Sequence, residues 1–348
     1  MCKVLVVGDP HFKTRQIYDA EILVSEVIRV TREEQPTIVI ILGDVLDRHE
    51  TIHVTPLTLA VNFFKELAEM CPVYVIIGNH DRKTNREFLT EEHPFVAMKG
   101  YPNIHIVDKT LVSYIHPYGM ISHDNDDGNY VKMTFVPYVS PGRFMEALNT
   151  VDNWQDSTVI FCHQEFKGCD LGGVVSKDGD EVNIRDIQLI SGHIHTHQIL
   201  GNLFYTGTPM QVNFGESEDK AIYMFTFESN KNYTGHGNET KIKLYVHIKR
   251  KIILTPDTLS RFKIEEGVNY KIIITGDALE MKGIQKHPSV LMWKKMKIPI
   301  AYNTIIGGSN LKEESIKYGV KFTDLFVEAI KQHNKKDDLL DMYATFVV

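Results

Sequence analysis

A chain of 348 residues, 43% hydrophobic and 24% charged, is long enough for two or three domains with sizeable cores, which excludes a disordered tail or low-complexity scaffold. Its apolar runs are strand-sized, no signal-peptide core follows Met1, and Cys2, Cys71, Cys162 and Cys169 form no C-x-x-C pair, so a membrane span, a disulfide framework and a zinc knuckle are not expected. The formal charge of −7 divides unevenly: residues 1–230 carry 18 Lys+Arg against 32 Asp+Glu and residues 231–348 carry 20 against 13, an acidic part suited to cations before a basic part suited to phosphates.

The first elements alternate in type. Residues 3–8, 37–43 and 73–78 are short Val- and Ile-rich runs, whereas 17–34 and 55–70 repeat apolar residues at helical spacing, giving a βαβαβ pattern. Each run ends in glycine and a polar cluster, which places the polar side chains at the carboxyl ends of strands, where open α/β sheets keep their chemistry. Later strands are expected at 131–136, 158–162, 188–191, 203–206 and 221–227, with a helix at 142–148. The stretch 228–239, rich in Asn and Gly, reads as a boundary. Beyond it we expect strands at 242–247 and 270–275, a mixed basic segment at 282–297, and helices near 313–332 and 335–345. The expected division is 1–230, 231–308 and 309–348, in an intracellular protein with reduced thiols.

Five segments carry the chemistry: Gly8-Asp9-Pro10-His11, Gly43-Asp44-Val45-Leu46-Asp47-Arg48, Gly78-Asn79-His80-Asp81, Cys162-His163-Gln164 and Gly192-His193-Ile194-His195. Singly, each reads as an ordinary loop. Together, so many carboxylate, amide and imidazole groups at successive strand ends would be a costly desolvated cluster unless cations neutralised them. Imidazole and oxygen ligands without thiolate favour manganese, iron or zinc over calcium. The run Asp124-Asn125-Asp126-Asp127-Gly128 looks like a calcium loop but has His123 at the first ligand position and Thr134 where Glu is needed, so it reads as a hairpin turn. His197 is either a contact of the site or a satisfied loop histidine.

In this order the five segments resemble the D-x-H, G-D-x-x-D-R, G-N-H-D/E, H and G-H-x-H pattern of the calcineurin-like metallophosphoesterase superfamily, over roughly residues 1–230. The resemblance implies an α/β (α+β) four-layer fold, a β-sandwich core flanked by helices, with a small C-terminal capping domain. It implies that Asp9, His11 and His195 hold one divalent metal ion, that Asn79, His163 and His193 hold a second, and that Asp44 bridges them, as a carboxylate can between cations about 3.5–4 Å apart. His80 is not a ligand in this assignment and becomes the candidate general acid, its tautomer set by Asp47 or Asp81. Asp47, Arg48 and Asp81 are supporting residues, of which Asp47 and Arg48 either assist or only brace the loop.

A finer resemblance lies in Phe204-Tyr205-Thr206-Gly207-Thr208-Pro209, Phe214-Gly215-Glu216 and His163-Gln164-Glu165, which are similar to segments of SbcD-type DNA nucleases; residues 270–277 match their capping domain more loosely. It implies a manganese-dependent exonuclease and endonuclease of DNA recombination and repair, a homodimer, working with an SbcC-type coiled-coil ABC ATPase. The apolar stripe Phe322, Leu325, Phe326, Ala329 and Ile330 is where that partner would dock, unless the stripe packs on the chain itself. Two basic groups, Lys241, Lys243, Lys249, Arg250 and Lys251, then Lys282, Lys286, Lys294, Lys295 and Lys297, are expected to face DNA phosphates. The alternatives are a stand-alone nucleotide phosphodiesterase or phosphatase, and a non-catalytic DNA-end binding subunit.

Overall fold

Short runs of Val and Ile between amphipathic helices bury both faces only when the strands lie side by side between layers. The computed structural model, which describes residues 1–122, 129–181, 184, 186–228 and 237–305, has this arrangement. In chain order the elements are β1 (Cys2–Val7), α1 (Ile17–Glu34), β2 (Ile38–Ile41), α2 (Val54–Ala68), β3 (Val73–Ile76), β4 (Ile104–Val107), β5 (Leu111–Ile115), β6 (Ile121–Ser122) and β7 (Val131–Val136). They continue with α3 (Phe144–Leu148), β8 (Val159–Cys162), β9 (Gln188–Ser191), β10 (Gln198–Leu200), β11 (Leu203–Tyr205), β12 (Ile222–Phe227), β13 (Glu239–Ile242), β14 (Ile248–Leu254), β15 (Val268–Asp277), α4 (Pro288–Lys295) and β16 (Ile300–Ile305).

Two sheets form a sandwich. The first has the order β13-β12-β1-β2-β3-β4, with β1 to β4 parallel and β12 antiparallel to β1. The second has the order β10-β11-β9-β8-β7-β5-β6, with β11, β9, β8 and β7 parallel. Alternation along each strand sorts side chains between layers. Val4, Val6, Ile38, Ile40, Tyr74 and Ile76 face Met133, Phe135, Val159, Phe161 and Ile190 across the sandwich, and Tyr74 stacks on Phe135 at 4.2 Å. Leu5, Val7, Val39 and Ile41 point the other way, onto Leu23, Val27 and Ile28 of α1 and Phe63, Phe64 and Leu67 of α2. Outside the second sheet, Phe144, Ala147 and Leu148 of α3 pack with Phe166, Ile160 and Leu189. Each such fully buried side chain contributes about 1.5–3 kcal/mol, so the layering follows from the apolar pattern. Helix α1 ends at Gln35, which takes a left-handed conformation (φ 47°) before Pro36 and returns its N–H to the Thr31 carbonyl.

The third sheet is small and wholly parallel, in the order β14-β15-β16, and has a core of its own from Leu254, Leu259, Tyr270, Ile272, Ile274, Ile284, Val290 and Trp293. The strand expected at 242–247 is not formed: β13 ends at Ile242, β14 begins at Ile248, and the residues between lie against α1. Leu244 is buried beside the helix, the Tyr245 N–H donates to Glu26, and His247 meets Asp19, so the alternating apolar side chains pack on a helix instead of a neighbouring strand. The run 124–128 lies outside the described residues. The strands on either side of it, β6 and β7, pair with opposite edges of β5. The helical patterns at 313–332 and 335–345 also lie outside the described residues.

Candidate metal centre

The parallel strands of both sheets end at one place. Asp9 and His11 follow β1, Asp44 follows β2, Asn79 and His80 follow β3, His163 follows β8, and His193 and His195 follow β9. Turning polar side chains inward so soon after a strand requires unusual backbone: His11, Asp44 and His193 have φ of 47°, 46° and 75°. Such conformations cost about 1–3 kcal/mol for residues with a Cβ and collect at functional sites. Gly43 (φ 107°) permits the turn before Asp44, and a Cβ there would lie 2.6 Å from His163 Nδ1.

Two groups of side chains have the composition and spacing to hold a metal ion: Asp9 with His11 and His195, and Asp44 with His163 and His193, the ligand atoms of each lying within 4.8 Å of one another. Asn79 joins the second group, its Oδ1 2.9 Å from both His163 Nε2 and His193 Nδ1. Asp44 stands between the groups, its Oδ2 3.4 Å from His163 Nε2 and 3.8 Å from His11 Nε2. His11 Nε2 and His195 Nε2 face each other at 3.0 Å.

The electrostatics fit a cation. Both Asp9 oxygens and His11 Nδ1 are buried without a hydrogen-bond partner, which protein interiors rarely tolerate. Burial pushes Asp9 above the usual carboxylate range, partly offset by His163, and burial pushes His11 well below the usual imidazole range. His163 places Nδ1 2.7 Å from the Leu42 carbonyl and so turns Nε2 towards the oxygens of Asn79 and Asp44. Burial disfavours its charged form, yet the Asp44 and Asp9 carboxylates outweigh burial and raise its pKa to about 9. Oxygens crowded on an imidazole nitrogen call for a positive charge between them, whether proton or metal ion.

The other predicted residues divide. His80 lies beside His11, ring centroids 5.1 Å apart, with its backbone N–H donated to Asp44 Oδ1 and its ring Nε2 4.0 Å from Asp44 Oδ2. Its Nδ1 is held by the backbone carbonyl of Asp47 at 2.9 Å, not by a carboxylate as expected. The Asp47 carboxylate pairs with Lys13, and Asp81 accepts from the N–H groups of Val45, Leu46 and Gly78, bracing the two loops that present Asp44 and Asn79. Arg48 is exposed. His197 is satisfied within the sheet, with Nδ1 on the Tyr205 carbonyl and its ring against Phe204 and Tyr223. Cys162 and Cys169 are both buried thiols.

Residues 2–197 match the family described as "Calcineurin-like phosphoesterase", a span that contains both groups and covers more than half of the chain. This chain belongs to that family. As a calcineurin-like phosphoesterase it is a hydrolase acting on phosphoester bonds, of a family that uses divalent metal ions. Its relatives include "Putative phosphoesterase 244L" of Invertebrate iridescent virus 6, 37% identical over 83% of this chain and 99% of that protein. "Putative phosphoesterase 078R" of Invertebrate iridescent virus 3 is 30% identical over 96% of this chain and 93% of that protein. "Exonuclease subunit 1" of Enterobacteria phage T4 is 24% identical over 65% of each chain. Sequence reasoning missed two carboxylates beside these histidines: Glu165 Oε2 lies 3.8 Å from His193 Nε2 and Glu216 Oε1 lies 3.4 Å from His195 Nδ1. Both stand in segments quoted above only for their likeness, and nothing in their spacing marked them as partners of the histidines.

Proposed function

We propose that this phosphoesterase is a manganese-dependent DNA nuclease of the SbcD type, acting in recombination and repair. The observation that carries it is the pair of buried His/Asp groups sharing Asp44, in a chain similar to a phage exonuclease subunit. In this reading Asp9, His11 and His195 hold one cation, Asn79, His163 and His193 the other, and Asp44 touches both. The cations, when bound, activate water and neutralise charge developing on the phosphate. His80 presents Nε2 towards the cluster while Asp47 holds Nδ1, so a protonated His80 can pass a proton from Nε2 to the departing oxygen. Asp81 keeps the two loops in register.

The basic surface supports a polyanionic substrate, though not where the sequence placed all of it. Lys241 pairs with Asp219, Arg250 with Glu218 and Glu265, and Lys249 is buried beside Asp19, so the first basic group is largely neutralised internally. Lys282, Lys286, Lys294, Lys295 and Lys297 are all exposed on and around α4. In the proposal these lysines hold DNA phosphates, the third sheet acts as the capping unit, the enzyme is a homodimer inside the cell, and an SbcC-type ATPase docks on residues 309–348. No helix among the described residues is long and apolar enough to cross a membrane.

Hydrolysis with manganese should be compared on labelled hairpin DNA, linear duplex and a chromogenic phosphodiester. DNA cleavage that disappears on chelation is the expected result. Turnover of the small diester with both DNA substrates intact would instead make the protein a stand-alone phosphodiesterase, and inactivity on all three with tight binding to ends would make it a DNA-end binding subunit.

A further inference from the structure

A histidine that ligates a metal through one nitrogen is oriented by the hydrogen bond its other nitrogen makes. His195 Nε2 faces His11, and its Nδ1 is 3.4 Å from Glu216 Oε1. The same carboxylate is held through Oε2, which accepts the Val212 N–H at 3.1 Å and pairs with Lys220 at 2.9 Å. The Lys220 ammonium also donates to the His195 carbonyl at 2.9 Å and to Thr208 Oγ1 at 2.7 Å. Side chain and backbone of His195 are therefore tied to one ion pair, of which Lys220 is buried and Glu216 partly buried.

That pair is joined to the third sheet. Gln211, buried, donates through Nε2 to the Glu216 carbonyl at 2.9 Å and to the Lys249 carbonyl at 2.9 Å, while its Oε1 accepts the Lys249 N–H at 2.6 Å. Lys249 lies in β14 at the edge of its sheet, so a side-chain amide here satisfies the N–H and C=O that an additional strand would have paired. The Lys249 side chain is itself buried, donating to Gln16 Oε1 at 2.7 Å and to the Gln211 carbonyl, with Asp19 Oδ2 at 3.5 Å. No such chain serves the other group among the described residues: His193 meets Glu165, which is held by Ser176 in a loop of the second sheet's side.

We propose that Glu216 is a positioning residue for His195, and that Gln211 and Lys249 extend it into a strut fixing the third sheet to only the Asp9, His11 and His195 half of the centre. The proposal rests on the reading that those three residues hold a cation. It makes the two halves unequal: displacement of the third sheet is transmitted to one cation and not to the other.

The test is a titration of the full-length, chelator-stripped chain with Mn2+, free ion being counted by electron paramagnetic resonance, alongside thermal midpoints. The unaltered chain should take up two ions. Glu216→Gln should weaken one of them roughly 10-fold to 100-fold and leave the other within about twofold, the usual scale for a lost outer partner. Gln211→Ala should weaken the same ion by a smaller factor, and Glu165→Gln should weaken the opposite one. Equal weakening of both ions in Glu216→Gln and Gln211→Ala, or no change in either variant, overturns the strut while leaving the metal reading intact. If Glu216→Gln fails to fold, Gln211→Ala decides by the same criterion. A wild-type chain that takes up no Mn2+ overturns the metal reading and the strut with it.

Discussion

Asp44 Oδ2 and His80 Nε2 lie 4.0 Å apart, yet the geometry assigns the two residues different work. Asp44 lies between the two groups and also accepts the His80 N–H, so Asp44→Ala removes the one carboxylate common to both and leaves any two cations facing each other unscreened. We expect that variant to lose both ions and all hydrolysis, which metal analysis of purified protein checks; two retained ions with near-normal turnover would remove the bridging role. His80→Ala should keep its metal content and DNA affinity while turnover falls roughly 100-fold to 10,000-fold, the scale of a positioned acid. Single-turnover kinetics beside a metal count separate this from a bracing role, in which ions would be lost too. The supports could not be read at this scale from sequence. Asp81 was placed beside His80 by its neighbours in the chain, but its carboxylate turns to three N–H groups of the Asp44 and Asn79 loops.

Elements were legible where their periodicity was unmixed. Helices α1 and α2 and the buried strands β1 to β3 announce themselves by apolar spacing, because nothing but packing against the sandwich decides their pattern. The segment between β13 and β14 has strand-like alternation but lies on a helix, since alternation reports only which side chains are buried and not what covers them. In the third sheet, Trp293 is fully buried against Phe262 and closes a core of eight buried side chains. Trp293→Ala should therefore cost about 3–5 kcal/mol, measured by urea denaturation. A loss below about 1 kcal/mol would mean that the sheet is held mainly by its contacts to α1 and the Gln211 segment, not by its own core.

For the whole molecule, charge distribution and the C-terminal residues set the remaining tests. Replacing Lys286, Lys294 and Lys297 by glutamine should weaken DNA binding and flatten its salt dependence by roughly 0.9 units of slope per lost duplex phosphate contact. An unchanged slope would place DNA elsewhere. If the proposed ATPase docks there, truncation after Gly319, which lies outside the described residues, should leave a folded chain that still hydrolyses a small manganese-dependent substrate but has lost that docking. A sharp fall in thermal midpoint, or insoluble protein, would show that the apolar stripe of Phe322, Leu325 and Phe326 packs on this chain instead.

Sequence alone determined the alternation of strands and helices and placed the polar clusters at strand ends, while the layered architecture and the family came from the resemblance of its five segments to a known superfamily. It also nominated each of the seven side chains that the structure gathers there. Tertiary structure alone decided which cations remain available, since Lys249 and Arg250 are neutralised by Asp19, Glu218 and Glu265, residues distant in the chain. It also decided what holds the histidines. Glu216 reaches His195 and Gln211 reaches β14 only after two sheets and a helix have packed, and no local pattern encodes a hydrogen bond between segments that meet only in the fold.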